Sequence, residues 1–245
     1  MKIAVLQPGY LPWLGFFEQV YQSDLFVLYN DVQYTKQDWR NRNRIKTPNG
    51  VQYLTVPVGK VPTNTRIQEV RLPADSTWKQ KHLRLIREAY QGAPYFACYF
   101  DEIRWCIKTD FSYLQDLNVA LIRLLSDLLG LKGKRFQFSS TLAYERSYDK
   151  TLNLLNMCLY LGADALYDGQ SAKRFLDVTC FHRHNIRVTF QEYVHPVYPQ
   201  LFGPFVPYLS VIDLLFNTGP RAVDYVVGKA KSRNRGEEFC LRAGE

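Results

Sequence analysis

The beginning of the chain contains a strand, a helix and a second strand in close succession. Residues 2–7 (KIAVLQ) form a short apolar run, residues 13–21 repeat apolar side chains at helical spacing, and residues 25–29 (LFVLY) form a second apolar run. Two buried strands joined through a helix pair in parallel, with a right-handed crossover. This start predicts an α/β fold in which the loop at residues 8–15 lies at the carboxyl edge of the sheet, where such sheets bind ligands.

The remainder of the chain continues with helical and strand-like segments and shows no break in composition. We therefore predict a single α/β domain over residues 1–230, with a mixed, largely parallel sheet flanked by helices. Residues 231–245 are predicted to be a charged, disordered tail. The predicted helices cover residues 76–91, 98–109, 111–129, 149–161, 170–183, 209–217 and 221–230, and the short strands cover residues 135–138, 163–167 and 186–192.

Residues 33–72 are predicted to leave this sheet as a basic β-hairpin. Pro48-Asn49-Gly50 is a turn signal, and residues 51–58 (VQYLTVPV) follow it as a strand. Residues 66–72 (RIQEVRL) alternate in polarity and are predicted as a further strand.

Composition excludes several classes of protein. In 245 residues, 47% are hydrophobic and 22% are charged, which is ordinary for a globular chain and unlike a disordered or low-complexity one. No stretch approaches the ~20 apolar residues of a membrane span, and no signal peptide is evident, so we expect a cytoplasmic protein. Five scattered cysteines without a CxxC pair give no predicted metal site, and no cofactor is specified.

Charge and aromatic content point to the partner. The net charge is +8 and aromatic residues reach 15%, a combination that indicates nucleic acid, a nucleotide or another phosphorylated ligand. Half of that charge, +4, lies in residues 36–46, where five basic residues accompany one aspartate. This concentration favours a compact pocket for a phosphorylated small molecule over an extended nucleic-acid groove, so a nucleic-acid-binding module is the less favoured alternative.

The segment QPGYLPWLGFF (residues 7–17) follows the first strand. Its two prolines stiffen the loop, and its two glycines allow the backbone to approach a ligand closely. Backbone amides at the start of the next helix suit a phosphate group. The alternative is a stiff turn whose aromatic residues belong to the core. The candidate residues here are Gln7, Tyr10 and Trp13.

The segment KQDWRNRNRIK (residues 36–46) carries three alternating arginines. On a strand they share one face and can bind phosphate, the asparagines between them lie on the other face and can contact a polar ligand, and the tryptophan offers a ring for stacking. The alternative is a solvated basic edge strand that prevents pairing between sheets. The candidate residues are Trp39, Arg40, Asn41, Arg42, Asn43 and Arg44.

The segment YDGQSAKRFLD (residues 167–177) reads as a turn from a strand into a helix. A lysine half a turn into that helix makes the turn a second candidate anion site, although the P-loop pattern GxxxxGK[ST] is absent. The alternative is an ordinary capped helix. The candidate residues are Asp168, Gln170, Ser171 and Lys173.

The segment HPVYPQLFGPFVPYLSVIDLLFNTGP (residues 195–220) combines a proline-rich loop with an apolar helix. His195 is a candidate general acid or base because an unperturbed imidazole titrates near pH ~6.5. Ser210, Asp213 and Asn217 fall on one helical face, and the alternative is that Ser210 and Asp213 form a capping box. Tyr198, Gln200 and Asp213 are further candidate binding residues.

These four segments resemble the WbqC-like protein family, and they follow the family's order over residues 7–220. The resemblance implies an enzyme of surface-polysaccharide (O-antigen type) or secondary-metabolite biosynthesis that acts on a nucleotide-activated sugar, often an amino sugar. We expect an acyl or aminoacyl transfer with His195 as the base, Gln7 and the two asparagines orienting polar groups, and the three arginines binding diphosphate.

A second likeness concerns the first loop. Tyr10, Pro12 and Gly15 are similar to the turn of the nucleotidylyltransferases, in which an aromatic-x-Pro sequence precedes HxGH at a Rossmann-like start. Both histidines of HxGH are missing, and those histidines stabilise the transition state on the triphosphate. A nucleotidylyltransferase-like enzyme lacking HxGH therefore remains an alternative function, and the turn can still hold a nucleotide.

Overall fold

Five short parallel strands form the central sheet. They are β1 (Lys2–Leu6), β2 (Leu25–Leu28), β5 (Arg135–Phe138), β6 (Ala165–Asp168) and β7 (Arg187–Phe190). Their order across the sheet is β5-β2-β1-β6-β7, and every neighbouring pair is parallel. The computed structural model describes residues 1–228, so the predicted tail at residues 231–245 lies outside the described residues. The α/β prediction is confirmed, and this sheet is wholly parallel.

Eight helices accompany the described strands. The helices are α1 (Leu14–Gln22), α2 (Thr77–Tyr90), α3 (Phe96–Lys108), α4 (Leu114–Leu128), α5 (Lys150–Tyr160), α6 (Val178–His182), α7 (Val211–Thr218) and α8 (Ala222–Val226). One apolar core joins one sheet face to α1–α4, α7 and α8, and a second core joins the opposite face to α5 and α6. Because both faces are covered, β2 is apolar and buried along its whole length, as is typical of a parallel strand inside such a sheet.

Two segments differ from their predicted structure. Residues 66–72 form a short 3-10 helix (Ile67–Glu69) between isolated β-bridges, because Ile67 and Val70 are buried three residues apart and no alternating face exists. Residues 170–183 form a 3-10 helix (Gln170–Arg174) followed by α6, because Asp177 accepts a hydrogen bond from the Thr179 N–H and begins a new helix.

A separate antiparallel hairpin packs beside α2. Its strands are β3 (Arg42–Thr47) and β4 (Gly50–Thr55), which is shorter than the excursion predicted over residues 33–72. Side chains on the inner face, such as Ile45 and Leu54, are buried in the core. Arg44 and Lys46 lie on the outer face opposite Tyr53 and Val51, because directly paired residues share a face.

Side-chain amides fasten the loop after β1 to this hairpin. Asn43 Nδ2 donates to the carbonyl oxygens of Leu11 at 2.7 Å and Tyr10 at 3.3 Å, and its Oδ1 accepts from the Arg44 N–H at 2.8 Å. Asn118 on α4 donates to the carbonyl oxygens of Pro8 and Arg40. Buried loop carbonyls need such donors, so the loop is held in one position.

Gly9 lets the loop and the hairpin approach each other this closely. A Cβ atom at residue 9 would lie 2.9 Å from the carbonyl oxygen of Trp39, closer than packed atoms allow. That same carbonyl accepts a hydrogen bond from the Tyr10 N–H at 3.0 Å. The glycine is therefore required by a contact with another backbone segment, whereas the sequence analysis expected a close approach to a ligand.

We expect Asn43→Ala to lower the free energy of unfolding by about 3 kcal/mol, because two buried carbonyls lose their donor. Urea denaturation followed by circular dichroism measures this change. Asn49→Ala, in the exposed turn of the same hairpin, serves as the control and should change it by less than about 0.5 kcal/mol. Equal stability of the two variants would show that the loop does not depend on Asn43.

Candidate functional site

The strand order gives the sheet a switch point between β1 and β6. The chain moves from β1 through β2 to β5 on one side, and it moves through β6 to β7 on the other. Open α/β sheets bind ligands outside the carboxyl ends of the two strands that flank such a point. Gln7 follows β1 there, and Gly169 follows β6.

A buried polar cluster, Glu18, Gln19, Tyr167 and Gln191, lies beside this point. The Tyr167 hydroxyl donates to both carboxylate oxygens of Glu18, at 3.0 and 3.1 Å. Gln191 Nε2 donates to Glu18 Oε2 at 2.7 Å and to the Gly15 carbonyl at 2.8 Å, and its Oε1 accepts from Gln19 Nε2 at 2.9 Å. All four residues are buried, and the Glu18 carboxylate has neutral donors in place of a cation.

Among residues 1–228, two buried amide oxygens near this point have no hydrogen-bond partner. Gln19 is 3% exposed, and its Oε1 is buried without a hydrogen bond, as is Oε1 of Gln7. Gln19 cannot relieve this by turning its amide, because its Nε2 already donates to Gln191. Gly169 lies against Gln19, since a Cβ there would be 3.6 Å from Gln19 Nε2. The switch point therefore has unused hydrogen-bond acceptors.

Asp168 is the last residue of β6 and is buried at the same edge. Burial raises the pKa of its carboxyl to about 6, and the Gly169 N–H, at 2.7 Å from Oδ1, partly offsets this rise. A carboxyl group with this pKa is mostly ionised at neutral pH. Its pKa is nevertheless close enough to neutral pH for the group to accept and release a proton. Such a group suits general-base chemistry.

The other predicted residues of this turn are on the surface. Gln170, Ser171 and Lys173 are exposed on the 3-10 helix, and the Lys173 ammonium lies 5.4 Å from the Phe190 ring centre. A helix of this length offers no extended set of free amides for an anion. Lys173 supplies a flexible positive charge near the switch point.

An aromatic cluster, Trp13, Tyr193, His195 and Tyr208, continues from the switch point. Trp13 precedes α1, and its ring centre lies 5.2 Å from that of Tyr193 and 5.6 Å from that of Tyr208. The indole covers the first turn of α1, because a Cβ at Gly15 would lie 2.2 Å from it. The loop after β7 thus brings its rings against the loop after β1.

His195 uses both ring nitrogens within its own loop. Nε2 accepts from the Tyr208 N–H at 3.0 Å, so Nδ1 carries the proton and donates to the Pro196 carbonyl at 2.9 Å. Burial lowers the pKa of His195 and keeps the ring neutral. In this arrangement the imidazole holds the loop together, and its lone pair is occupied.

Arg40, Arg42 and Arg44, the three predicted arginines, have different environments. Arg44 donates to the Tyr208 carbonyl at 2.9 Å, and its guanidinium lies 5.7 Å from the Trp39 ring centre. Arg42 lies over the exposed Tyr53 ring at 4.8 Å. Arg40 precedes the strand and forms an ion pair with Asp38. Only Arg42 and Arg44 therefore share the outer face of β3, and Arg44 is the one that adjoins the aromatic cluster.

Several predicted binding residues have side chains inside the protein. Tyr10 is fully buried, and its hydroxyl is 2.9 Å from His82 Nδ1. Asn41 donates to the Val56 carbonyl, and Asn43 to the loop carbonyls described above. These three side chains form hydrogen bonds with other protein groups inside the fold, so they stabilise the candidate site and do not line it.

Asp213, Gln200 and Tyr198 belong to a second internal network. Asp213 accepts from the Tyr90 hydroxyl and from Gln200 Nε2, both at 2.9 Å. Burial raises the pKa of Asp213 to about 6, and burial next to this carboxylate raises the pKa of Tyr198. Ser210 forms no side-chain cap, so the predicted capping box is not formed. The network ties the proline-rich loop to α7.

Sequence reasoning missed Glu18, Gln19, Gln191 and Tyr193. Glu18 and Gln19 form a polar pair inside the apolar helix α1, and both are buried. A polar pair within an otherwise apolar helical stretch was the available signal, since buried polar groups need partners from other segments. The identity of those partners depended on β6 and β7, which lie more than a hundred residues later in the chain.

Two absences apply to residues 1–228. No grouping of histidine, cysteine and carboxylate side chains there is suited to a metal ion. Within the same residues, none of the helices combines the length and apolar character that crossing a bilayer requires.

Comparisons with known proteins agree with the resemblance. Residues 7–225 match the WbqC-like protein family. The chain is also similar to an uncharacterized protein of Mycobacterium tuberculosis, Rv1507c, with 37% identity over 229 residues that cover 92% of this chain and 97% of the relative. No solved structure matches the chain. The four sequence segments lie within the matched range, and the chain belongs to the WbqC-like protein family.

Proposed function

We propose that this protein is a transferase that binds a nucleotide-activated amino sugar at the switch point and transfers an acyl or aminoacyl group to the sugar amine. The observations that carry the proposal are two buried amide oxygens without a protein partner, Gln7 Oε1 and Gln19 Oε1, and the buried carboxyl of Asp168 at the end of β6. Family membership supports the setting in surface-polysaccharide or secondary-metabolite biosynthesis.

The acceptors at the switch point favour a ligand that donates hydrogen bonds. A buried amide oxygen without a partner costs about 1–3 kcal/mol, and a bound donor removes that cost. Amines and hydroxyls of a sugar are such donors, whereas phosphate oxygens are acceptors and would meet like groups. The sugar portion of the substrate therefore belongs at the carboxyl ends of β1 and β6, where Gln7 follows β1, Asp168 ends β6 and Gln19 adjoins Gly169.

The nucleotide portion belongs on the aromatic and basic side. Trp13 and Trp39 offer rings for a base, and Arg44 lies between Trp39 and Tyr208 with a charge that suits a diphosphate. Lys173 can reach the phosphates from the other side of the switch point. These side chains support the proposal that the ligand is a phosphorylated small molecule.

The transfer step assigns Asp168 as the general base. The amine nitrogen forms a bond to the carbonyl carbon of the donor, the bond from that carbon to the leaving group breaks, and the amine proton passes to the Asp168 carboxylate. Gln7 and Gln19 accept hydrogen bonds from other donors of the sugar portion. His195 takes the part of a positioning residue, because its lone pair accepts from the Tyr208 N–H.

A thermal-shift screen tests the binding proposal. We expect nucleotide-linked amino sugars to stabilise the protein by about 2.7 kcal/mol at a hundred times the dissociation constant. Gln19→Leu should weaken this binding at least tenfold, since one acceptor worth about 1.5 kcal/mol is lost. Gln80→Leu, an exposed amide on α2, is the control and should bind as the wild type does.

The same screen includes coenzyme A and nucleoside triphosphates. Stabilisation by nucleoside triphosphates with release of pyrophosphate from added sugar phosphate would replace the proposal with the nucleotidylyltransferase alternative. If no compound of the panel stabilises the protein, the proposal fails.

Asp168→Asn separates catalysis from folding. We expect the variant to lose turnover yet unfold with a higher free energy than the wild type above about pH 6. The pKa of Asp168 is about 6 in the folded protein and 3.8 in its usual state, so the free energy of unfolding of the wild type falls by up to about 3 kcal/mol as pH rises from 3.8 to 6. The variant has no carboxyl group at residue 168, so its free energy of unfolding does not fall for this reason. Urea melts at several pH values measure this difference.

Two variants complete this test. Asp127→Asn, an exposed carboxyl in the last turn of α4, should follow the wild type in both turnover and pH dependence. His195→Ala should keep measurable turnover with a raised KM, because it loosens the loop. Loss of turnover in His195→Ala but not in Asp168→Asn would return the base to His195, as the sequence analysis expected.

A further inference from the structure

We propose that the outer side of the hairpin with the preceding residues 36–39, together with the loop at residues 191–209, docks the protein onto an anionic phospholipid bilayer. We call this surface the docking face. It goes beyond the proposed transfer reaction, because it concerns where the protein resides and not what it converts. Three observations carry it: exposed apolar side chains on loops, cations without carboxylate partners, and continuity between the two segments.

Large apolar side chains project from this face into solvent. Val194 is 88% exposed and Val197 is 73% exposed, on either side of His195. Phe202 is also exposed, and so are Trp39 and Tyr53 on the hairpin side. Exposed aliphatic and aromatic side chains grouped on one side of a protein mark an interaction surface, and each would gain free energy from burial.

The two segments form one continuous surface. Arg44 donates to the Tyr208 carbonyl at 2.9 Å, and Lys46 Nζ donates to the Pro204 carbonyl at 2.6 Å. The Tyr208 N–H donates a hydrogen bond to His195 Nε2 at 3.0 Å. This bond holds the part of the loop that carries the two valines. The apolar side chains therefore sit on a rigid base, as insertion into an interface requires.

The charge of the docking face is positive and unneutralised. Among residues 1–228, no carboxylate lies within ion-pair distance of Lys36, Arg42 or Arg44, and the nearby Asp38 is already paired with Arg40. Basic side chains beside exposed tryptophan, tyrosine and aliphatic residues match the headgroup region of an anionic bilayer, where rings lie at the interface and cations contact phosphate.

The rest of the surface offers a comparison. Helix α5 exposes Leu152 and Leu159 one above the other, seven residues apart. That stripe is a flat helical face, whereas the valines of the docking face project from a loop to which Arg44 and Lys46 donate hydrogen bonds. Projecting loop residues can enter the headgroup region without moving the fold, which favours the bilayer over a protein partner for the docking face.

The test is co-sedimentation of the full chain with vesicles. We expect binding to vesicles of phosphatidylglycerol and phosphatidylcholine, weaker binding as salt is added, and little binding to phosphatidylcholine alone. Lys36→Gln combined with Arg42→Gln should lower partitioning by about 25-fold, or about fivefold for each cation. Val194→Ser combined with Val197→Ser should lower it by about tenfold.

Leu152→Ser combined with Leu159→Ser, on α5, removes the same number of exposed apolar side chains and should partition as the wild type does. Circular dichroism verifies that each variant is folded. No ligand of the proposed reaction is present, so the result is independent of that function. Absence of binding to the anionic vesicles, or equal binding by all variants, would overturn the proposal.

Two further measurements identify another occupant. If sedimentation velocity shows an oligomer that Val194→Ser with Val197→Ser dissociates, while vesicles stay unbound, the face joins two copies of the chain and the proposal is wrong. If a single-stranded oligonucleotide binds through Lys36 and Arg42 while vesicles do not, the partner is nucleic acid and the proposal is equally overturned.

Discussion

The candidate site depends on the hydrogen bonds from Asn43 to the loop after β1. That loop contains two prolines and closely packed backbone, so its carbonyls cannot bond within a regular element, and the hairpin supplies the donors. With the loop in this position, Trp13 packs on the first turn of α1. Glu18 and Gln19 on α1 then lie within hydrogen-bond distance of side chains on β6 and just after β7. The hairpin is therefore part of the site's support although it lies outside the main sheet.

Several groups at the switch point lower the free energy of unfolding of the protein without ligand. The Glu18 carboxylate is buried with neutral donors, burial raises the pKa of Asp168, and two amide oxygens have no partner. Each of these costs stability in the free protein. Their position at the edge where parallel sheets bind ligands is what supports the proposal that a ligand binds there.

Sequence reasoning predicted the sheet edge better than it predicted side-chain direction. Apolar runs identified β1 and β2, and the loop between them was correctly placed at the carboxyl edge. Alternation correctly put Asn43 on the other face of the strand from Arg42 and Arg44. It does not say which of the two faces of a hairpin packs against the core. Asn43 is buried because the hairpin packs on the core. Tyr10 is likewise inside, since an aromatic residue in a stiff loop can face either way.

The peptide around Tyr208 connects the candidate site to the docking face. Its N–H bonds His195, its carbonyl bonds Arg44, and its ring packs on Trp13. Tyr208 has a φ of 59°, a left-handed conformation that costs a residue with a side chain about 1 kcal/mol. The strain persists because bonds on both sides of the peptide hold it. This one peptide therefore brings Trp13, His195 and Arg44 together, and it does so through contacts from three different segments of the chain.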